Sequence, residues 1–206
     1  YKRQDADVAK AVEAGKKQFV GFELPSRVLG VVGLGAIGVE VANAALALGM
    51  RVVGYEPKLT VRRAWQLSSG VEQAENLDEV FRRADIITAH VPLNGDTEAL
   101  VGRKRLRLLS KGAIVLNFAR DGVVDEDAVL ELLEAGQIHT YVTDFPTPRL
   151  IERPNVICLP HLGASTLEAE ENCAVMVANN LREFLENGNI SGSVNFPEAV
   201  LQRTRP

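Results

Sequence analysis

The strongest chemical signal in the sequence is a set of glycines behind an apolar run. Gly33-Leu34-Gly35-Ala36-Ile37-Gly38 follows Val28–Val32 directly and opens a segment, Val39–Leu48, with apolar residues recurring on one face. In a strand–turn–helix setting, Gly33 makes the tight turn, Gly35 lets the backbone approach a pyrophosphate, and Gly38 lets the helix pack close to the strand. The amides around Ala36 and Ile37 then meet phosphate at a helix N-terminus, where unpaired N–H groups and the helix dipole favour negative charge. Glycines in such a turn also serve purely structural ends, and methyltransferases use related turns. Glu56 sharpens the reading. It ends the run Arg51-Val52-Val53-Gly54-Tyr55-Glu56, near the ~20-residue distance at which a carboxylate accepts both ribose hydroxyls of adenosine and repels a 2′-phosphate. Pro57, Lys58 and Leu59 come next, with no arginine immediately after the acid, which favours NAD over NADP.

Two more side chains have types suited to chemistry at strand ends. Arg120 lies just past the run Ile114–Asn117, where a guanidinium could bind a carboxylate bidentately; the alternative is a surface arginine paired with Asp121. His161 follows Pro160, and an imidazole titrating near neutral pH can take and return a proton; the alternative is a structural histidine that caps the loop before the last helix. Gly163 and Ser165 beside it suggest close backbone approach and an N-cap. Asp144 ends another run, where aspartates also form turns. His90 stands at a strand end beside Pro92, whereas His139 merely precedes a strand.

These residues need a frame. Short β-branched runs (Val28–Val32, Arg51–Tyr55, Ile86–Ala89, Ile114–Asn117, Thr140–Thr143, Val156–Cys158) alternate with helix-like segments at Ala36–Leu48, Val61–Leu67, Leu77–Arg83, Arg105–Leu109 and Asp125–Ala135. That alternation predicts an α/β fold, a doubly wound parallel sheet with helices on both faces. An amphipathic helix over Lys2–Lys17 leads in, and a long helix over Thr166–Glu186 closes the pattern, stopped by Asn187-Gly188-Asn189. The expected division is a leading helix and linker over 1–27, a nucleotide-binding domain over 28–186, and a tail over 187–206. In that tail Val194 and Phe196 call for a partner surface.

Composition narrows the classes. With 206 residues, 46% of them hydrophobic and 24% charged, the chain has material for a core. Lys and Arg total 23 against 27 for Asp and Glu, a net charge of −4, which argues against a nucleic-acid surface. No uncharged apolar stretch approaches the ~18–20 residues that span a bilayer. Cys158 and Cys173 lack metal-ligand spacing and read as free thiols in a reducing cytoplasm, with no metal site.

Beyond the glycine turn, several segments resemble the D-isomer-specific 2-hydroxyacid dehydrogenases: His90-Val91-Pro92-Leu93, Asn117-Phe118-Ala119-Arg120, Val124-Asp125-Glu126-Asp127-Ala128, Asp144-Phe145-Pro146 and Pro160-His161-Leu162-Gly163-Ala164-Ser165-Thr166. The resemblance runs from about Lys16 to Pro197. It implies a Rossmann NAD-binding domain in an enzyme that oxidises a D-2-hydroxy acid. Arg120 would hold the substrate carboxylate, His161 would take the hydroxyl proton, and Asp144 would accept a hydrogen bond from the nicotinamide carboxamide. Gly33, Gly35, Ala36, Ile37, Gly38, Glu56, His90, Pro92, Thr97, Phe118, Ala119, Arg120, Asp144, His161, Gly163 and Ala164 would line the NAD site. The family's second domain, which closes over the cofactor, has no counterpart here, so the chain reads as a cofactor-binding domain inactive by itself. Pairing through such domains is common in the family, and a homodimer is expected to cover apolar surface on Gly102–Lys111 and the helix near Thr166. The superfamily also includes NAD-sensing modules without catalysis.

Two departures stand out. The family's glutamate a few residues after the aspartate, which hydrogen-bonds the histidine, is missing: Phe145-Pro146-Thr147-Pro148-Arg149 follows Asp144, and Glu152 has the wrong spacing. The loss removes the usual carboxylate–imidazole support of His161 and leaves open whether another carboxylate supplies it. Asp121 stands where glycine often follows the arginine, an extra carboxylate expected to weaken anion binding.

Overall fold

The computed structural model describes residues 8–190 and Ser193; the first part of the leading helix and the tail residues Val194 and Phe196 lie outside the described residues. Seven parallel strands form one sheet in the order β3-β2-β1-β4-β5-β6-β7. They are β1 (Val28–Val32), β2 (Arg51–Tyr55), β3 (Val71–Gln73), β4 (Ile86–Ala89), β5 (Ala113–Asn117), β6 (Ile138–Thr143) and β7 (Val156–Cys158). The helices are α1 (Val8–Gly15), α2 (Ala36–Ala47), α3 (Val61–Gln66), α4 (Leu77–Arg83), α5 (Arg103–Leu106), α6 (Glu126–Glu134) and α7 (Leu167–Asn187). The doubly wound parallel sheet is therefore as expected, with β3 added to the six foreseen strands.

Alternation along each strand divides the core between two faces. Leu29 and Val31 of β1, Val52 of β2 and Ile86 of β4 pack with Val39, Ala42 and Ala45 of α2. Val32, Val53, Ile87 and Val115 point the other way, into a larger cluster with Val80 and Phe81 of α4 and Val129 of α6. Each fully buried valine, isoleucine or phenylalanine side chain among them contributes about 1.5–3 kcal/mol.

Helix starts follow local chemistry. The Thr60, Asn76, Asp125 and Thr166 side chains accept the amides of Arg63, Glu79, Ala128 and Ala169, the usual N-cap bond. The cap before the last helix is thus Thr166 rather than Ser165. Gly188 ends α7 in the left-handed conformation, with φ 69°, as the Asn-Gly-Asn stop requires.

The structure corrects one expectation about exposed apolar surface. Within Gly102–Lys111, Leu106 and Leu109 are buried, because that segment turns its leucines into the α4/α6 cluster and leaves Arg103, Lys104 and Arg107 outside. In α7, by contrast, no residue is buried; Val177, Leu181 and Phe184 recur at helical spacing and are all more than half exposed.

Candidate functional site at the carboxyl rim

Parallel register aligns the strand ends into one row. Tyr55 pairs with Val32, Val32 with Ala89, Ala89 with Asn117, Asn117 with Thr143, and Thr143 with Cys158. Glu56, Gly33, His90, Phe118–Arg120, Asp144 and His161 all lie within a few residues of that row. The sheet order turns between β1 and β4, the switch point at which doubly wound folds bind ligands.

The glycine turn is built for a close approach. Gly33 has φ +91°, and a Cβ on Gly38 would lie 1.9 Å from the Gly33 carbonyl oxygen, so α2 starts in contact with the turn. Gly35 is the N-cap residue of α2 and supplies no side-chain cap; a Cβ built on it meets nothing within 4 Å. The space beside Gly35 at the start of α2 is therefore open, and Ile37 is exposed. The turn is pinned to β2 at three consecutive residues. Leu34 is buried, with Cδ1 2.9 Å from where a Gly54 Cβ would be. The Gly33 amide donates to the Tyr55 carbonyl at 3.0 Å, and the Leu34 amide donates to Glu56 Oε2 at 3.2 Å. Glu56 Oε1 accepts the Lys58 amide at 2.9 Å.

A cavity of about 320 Å³ beside the turn is lined by Gly33, Tyr55, Glu56, Pro92 and Thr97, among others. It unites four of the residues named from sequence. Asn94, Asp96 and Leu100 also line it and escaped the sequence reading; the clue was the polar turn Asn94-Gly95-Asp96-Thr97, where the Asn94 amide donates to Thr97 Oγ1 at 2.8 Å.

His90 is mostly buried, and burial pushes its imidazole down from 6.5 to about 4. Its Nε2 lies 3.0 Å from Thr88 Oγ1, while Nδ1 is buried without a partner. Between pH 6.5 and about 4 the unfolded chain takes up a proton here that the folded chain refuses. Stability then drops as pH falls through that window, by up to about 3 kcal/mol for this group. Thermal melts of wild type and His90→Gln from neutral pH down to about pH 4.5 should diverge, the variant losing less; parallel curves would remove this role.

Further along the rim, buried Asn117 shapes the turn that presents Arg120. Its Oδ1 accepts the Ala119 amide and its Nδ2 donates to the Arg120 carbonyl, both at 3.2 Å. The Arg120 guanidinium is exposed and donates to the Ala119 carbonyl at 2.6 Å. Among the described residues it makes no ion pair with Asp121.

The family's usual glutamate is absent, but a different carboxylate stands beside His161. Asp144 Oδ2 stands 2.9 Å from His161 Nδ1, because the β6–β7 register brings the ends of those strands side by side. Asp144 is buried, and its other oxygen, Oδ1, has no hydrogen-bond partner. The Phe145 ring lies 4.9 Å from the imidazole, tilted by 43°, a contact the sequence reading also missed. Glu152 is exposed at φ +63° and plays no part. Gly163 and Ala164 sit in the exposed turn between His161 and α7. His139 lies within β6 and lines a cleft with Asp85 and Lys111 at the opposite rim.

An NAD molecule suits this rim. The open approach at Gly35 has room for a phosphate, the cavity at Glu56 has room for a nucleoside, and the buried Asp144 Oδ1 has no donor of its own. Among the described residues there is no cluster of side chains able to hold a metal. No helix among them is long and apolar enough to cross a membrane.

Comparison with known proteins identifies the family. The family model for the D-isomer specific 2-hydroxyacid dehydrogenase NAD binding domain matches residues 2–163. D-3-phosphoglycerate dehydrogenase of Methanocaldococcus jannaschii is 38% identical over 96% of the chain, and that of Bacillus subtilis is 39% identical over 91%. These alignments cover 39% and 36% of the two relatives, so the chain spans less than half their length. Among solved structures, a glyoxylate reductase from Paecilomyes thermophila superposes with TM-score 0.74 at 29% identity, over 91% of this chain and 58% of that one. Apo D-mandelate dehydrogenase of Rhodotorula graminis superposes with TM-score 0.75 at 27% identity, over 87% and 54%. The chain belongs to the D-isomer specific 2-hydroxyacid dehydrogenase family, as its NAD-binding domain.

Proposed function

We propose that this domain serves an enzyme that oxidises 3-phosphoglycerate to 3-phosphohydroxypyruvate with NAD, the first committed chemistry towards serine. The observation that carries the catalytic part is the imidazole of His161 held at the carboxyl rim by a buried carboxylate. The substrate is supported by the D-3-phosphoglycerate dehydrogenases that the chain resembles across most of its length.

In this reading Arg120 leaves its carbonyl contact to clamp the substrate carboxylate, and the fork of its guanidinium orients the carbon that bears the hydroxyl. His161 takes the hydroxyl proton through Nε2, since Nδ1 is engaged with Asp144. NAD, when bound, accepts the hydride. The amides at Ala36 and Ile37 would hold its phosphates, Glu56 its ribose and Asp144 its carboxamide, with His90, Pro92, Thr97, Phe118, Ala119, Gly163 and Ala164 lining the site. Ile37, Leu93, Phe118 and Leu162 leave apolar surface along the rim. A closing domain would cover that surface and exclude water, so the chain alone binds cofactor with little turnover. The exposed apolar stripe of α7 supports a homodimer, and the free thiols of Cys158 and Cys173 suit the cytoplasm.

Calorimetric titration of the chain with NAD, followed by assay of the full-length enzyme with 3-phosphoglycerate, tests the reading. NAD binding with no turnover in the full-length protein would favour an NAD-sensing module; a chain that ignores NAD would refute both. In the same titration, Glu56→Ser should raise the affinity for NADP relative to NAD by about tenfold or more, because the variant removes a carboxylate that repels the 2′-phosphate. An unchanged ratio would place the adenosine end elsewhere.

A further inference from the structure

We propose that the cleft at the opposite rim of the sheet is a second binding site, for a small organic anion whose carboxylate lies between Arg27 and Lys111 and whose short carbon body lies against Phe22 and Ile86. The site stands apart from the function given above, since no residue of the carboxyl rim lines it.

The cleft has a volume of about 150 Å³. The segment leading into β1 supplies Phe22 and Arg27, and the amino ends of β4 and β5 supply Asp85, Ile86 and Lys111 with its neighbours. Backbone bonds fix this frame. The Asp85 amide donates to the Val28 carbonyl at 2.9 Å, the Ile114 amide to the Asp85 carbonyl at 3.0 Å, and the Gly112 amide to the Gln137 carbonyl at 2.8 Å. Gly112 has φ +83°, a left-handed turn that carries the chain from Lys111 into β5. A site formed in advance costs its ligand little ordering.

The charges on the lining are uncommitted. Asp85 is the one carboxylate there, and its Oδ2 already accepts the Val28 amide at 2.9 Å. Among the described residues neither Arg27 nor Lys111 is in an ion pair, whereas Arg51, Arg103 and Arg107 each hold a glutamate. The Arg27 guanidinium lies over the Phe22 ring, 5.0 Å from its centroid, a contact that orients it without using its N–H donors. Two cations against one carboxylate make the cleft attractive to an anion. The guanidinium can take a carboxylate through two parallel N–H bonds, and the ammonium adds a point charge. Beside them Phe22 and the buried Ile86 form an apolar wall. A bare inorganic ion gains nothing from that wall, but a carbon chain does.

Titration of the ¹⁵N-labelled chain with sodium butyrate at constant ionic strength, read in ¹⁵N–¹H correlation spectra, tests the site. Saturable shifts should appear at the amides of Arg27, Lys111 and Gly112, with a Kd of about 1 mM for so small a ligand. The amides of Gly33–Gly38 should stay in place. Arg27→Gln and Lys111→Gln alter exposed side chains and should each weaken butyrate by about fivefold or more. Acetate, two methylenes shorter, should also bind about fivefold more weakly or worse. Butylamine, with the same body and the opposite charge, should not saturate. Butyrate shifts that grow without saturating would overturn the proposal, as would equal affinity in wild type and both variants. Inorganic phosphate or acetate binding as tightly as butyrate would also overturn it, leaving only a patch of charge that attracts any anion.

Discussion

Replacing His161 with glutamine should lower kcat of the full-length enzyme by about 10³-fold, the range a positioned general base supplies, with a much smaller change in KM for NAD. The size of the effect follows from the lack of a substitute. His90 is buried and, with its imidazole pushed down to about 4, is a poor base near neutral pH. His139 lies at the opposite rim of the sheet, beside Asp85 and Lys111. Asp144 stands next to His161 but is itself buried, with one oxygen already turned to the imidazole. Steady-state kinetics with 3-phosphoglycerate would settle the matter, and a loss of less than about tenfold would move the proton transfer to another group.

The second large effect separates two glycines that a motif search treats alike. Gly38→Ala should destabilise the chain by about 2–4 kcal/mol and abolish measurable NAD binding. Its new methyl group would stand 1.9 Å from the Gly33 carbonyl oxygen, and neither side can yield. Gly33 is bound to Tyr55 through its amide, while α2 carries Val39 and Ala42, both fully buried, into the core. Gly35→Ala behaves differently. Gly35 has φ −74°, a conformation any residue adopts, and its added Cβ meets no protein atom. Its stability should stay within about 1 kcal/mol of wild type, the cost of alanine at an N-cap, while NAD affinity falls because the methyl group occupies the approach to the amides. Thermal melts paired with calorimetry read both. Equal stability losses would mean that the turn is only a packing device.

The sequence carried the frame of this domain more openly than its contacts. β1, the glycine turn and α2 were legible because a β-branched run, three glycines and an apolar helix-forming segment agree at every level. β3 was not: it is three residues long, and only Val71 among them is partly buried, so neither hydrophobicity nor alternation marks it. The start of β6 was missed because His139 is polar and exposed within the strand. The bond between Asp144 and His161 was hidden for another reason. The two residues are separated by a loop in sequence, and each looked like an isolated polar residue after its own strand. Only the pairing of Thr143 with Cys158 brings the two strand ends together, and register between parallel strands is set by packing across the whole sheet rather than by local propensity.

The attachment of the glycine turn to β2 has a consequence for anyone who would redesign this protein. Because Leu34 rests on Gly54 and its amide ends on Glu56, the turn proposed to carry the diphosphate and the carboxylate proposed to take the sugar are one mechanical unit. An exchange at Glu56 made to admit a phosphorylated ribose also unties the Leu34 peptide of the glycine turn. Altered coenzyme choice will therefore come with weaker grip on both coenzymes, until a replacement acceptor for the Leu34 amide is built in alongside.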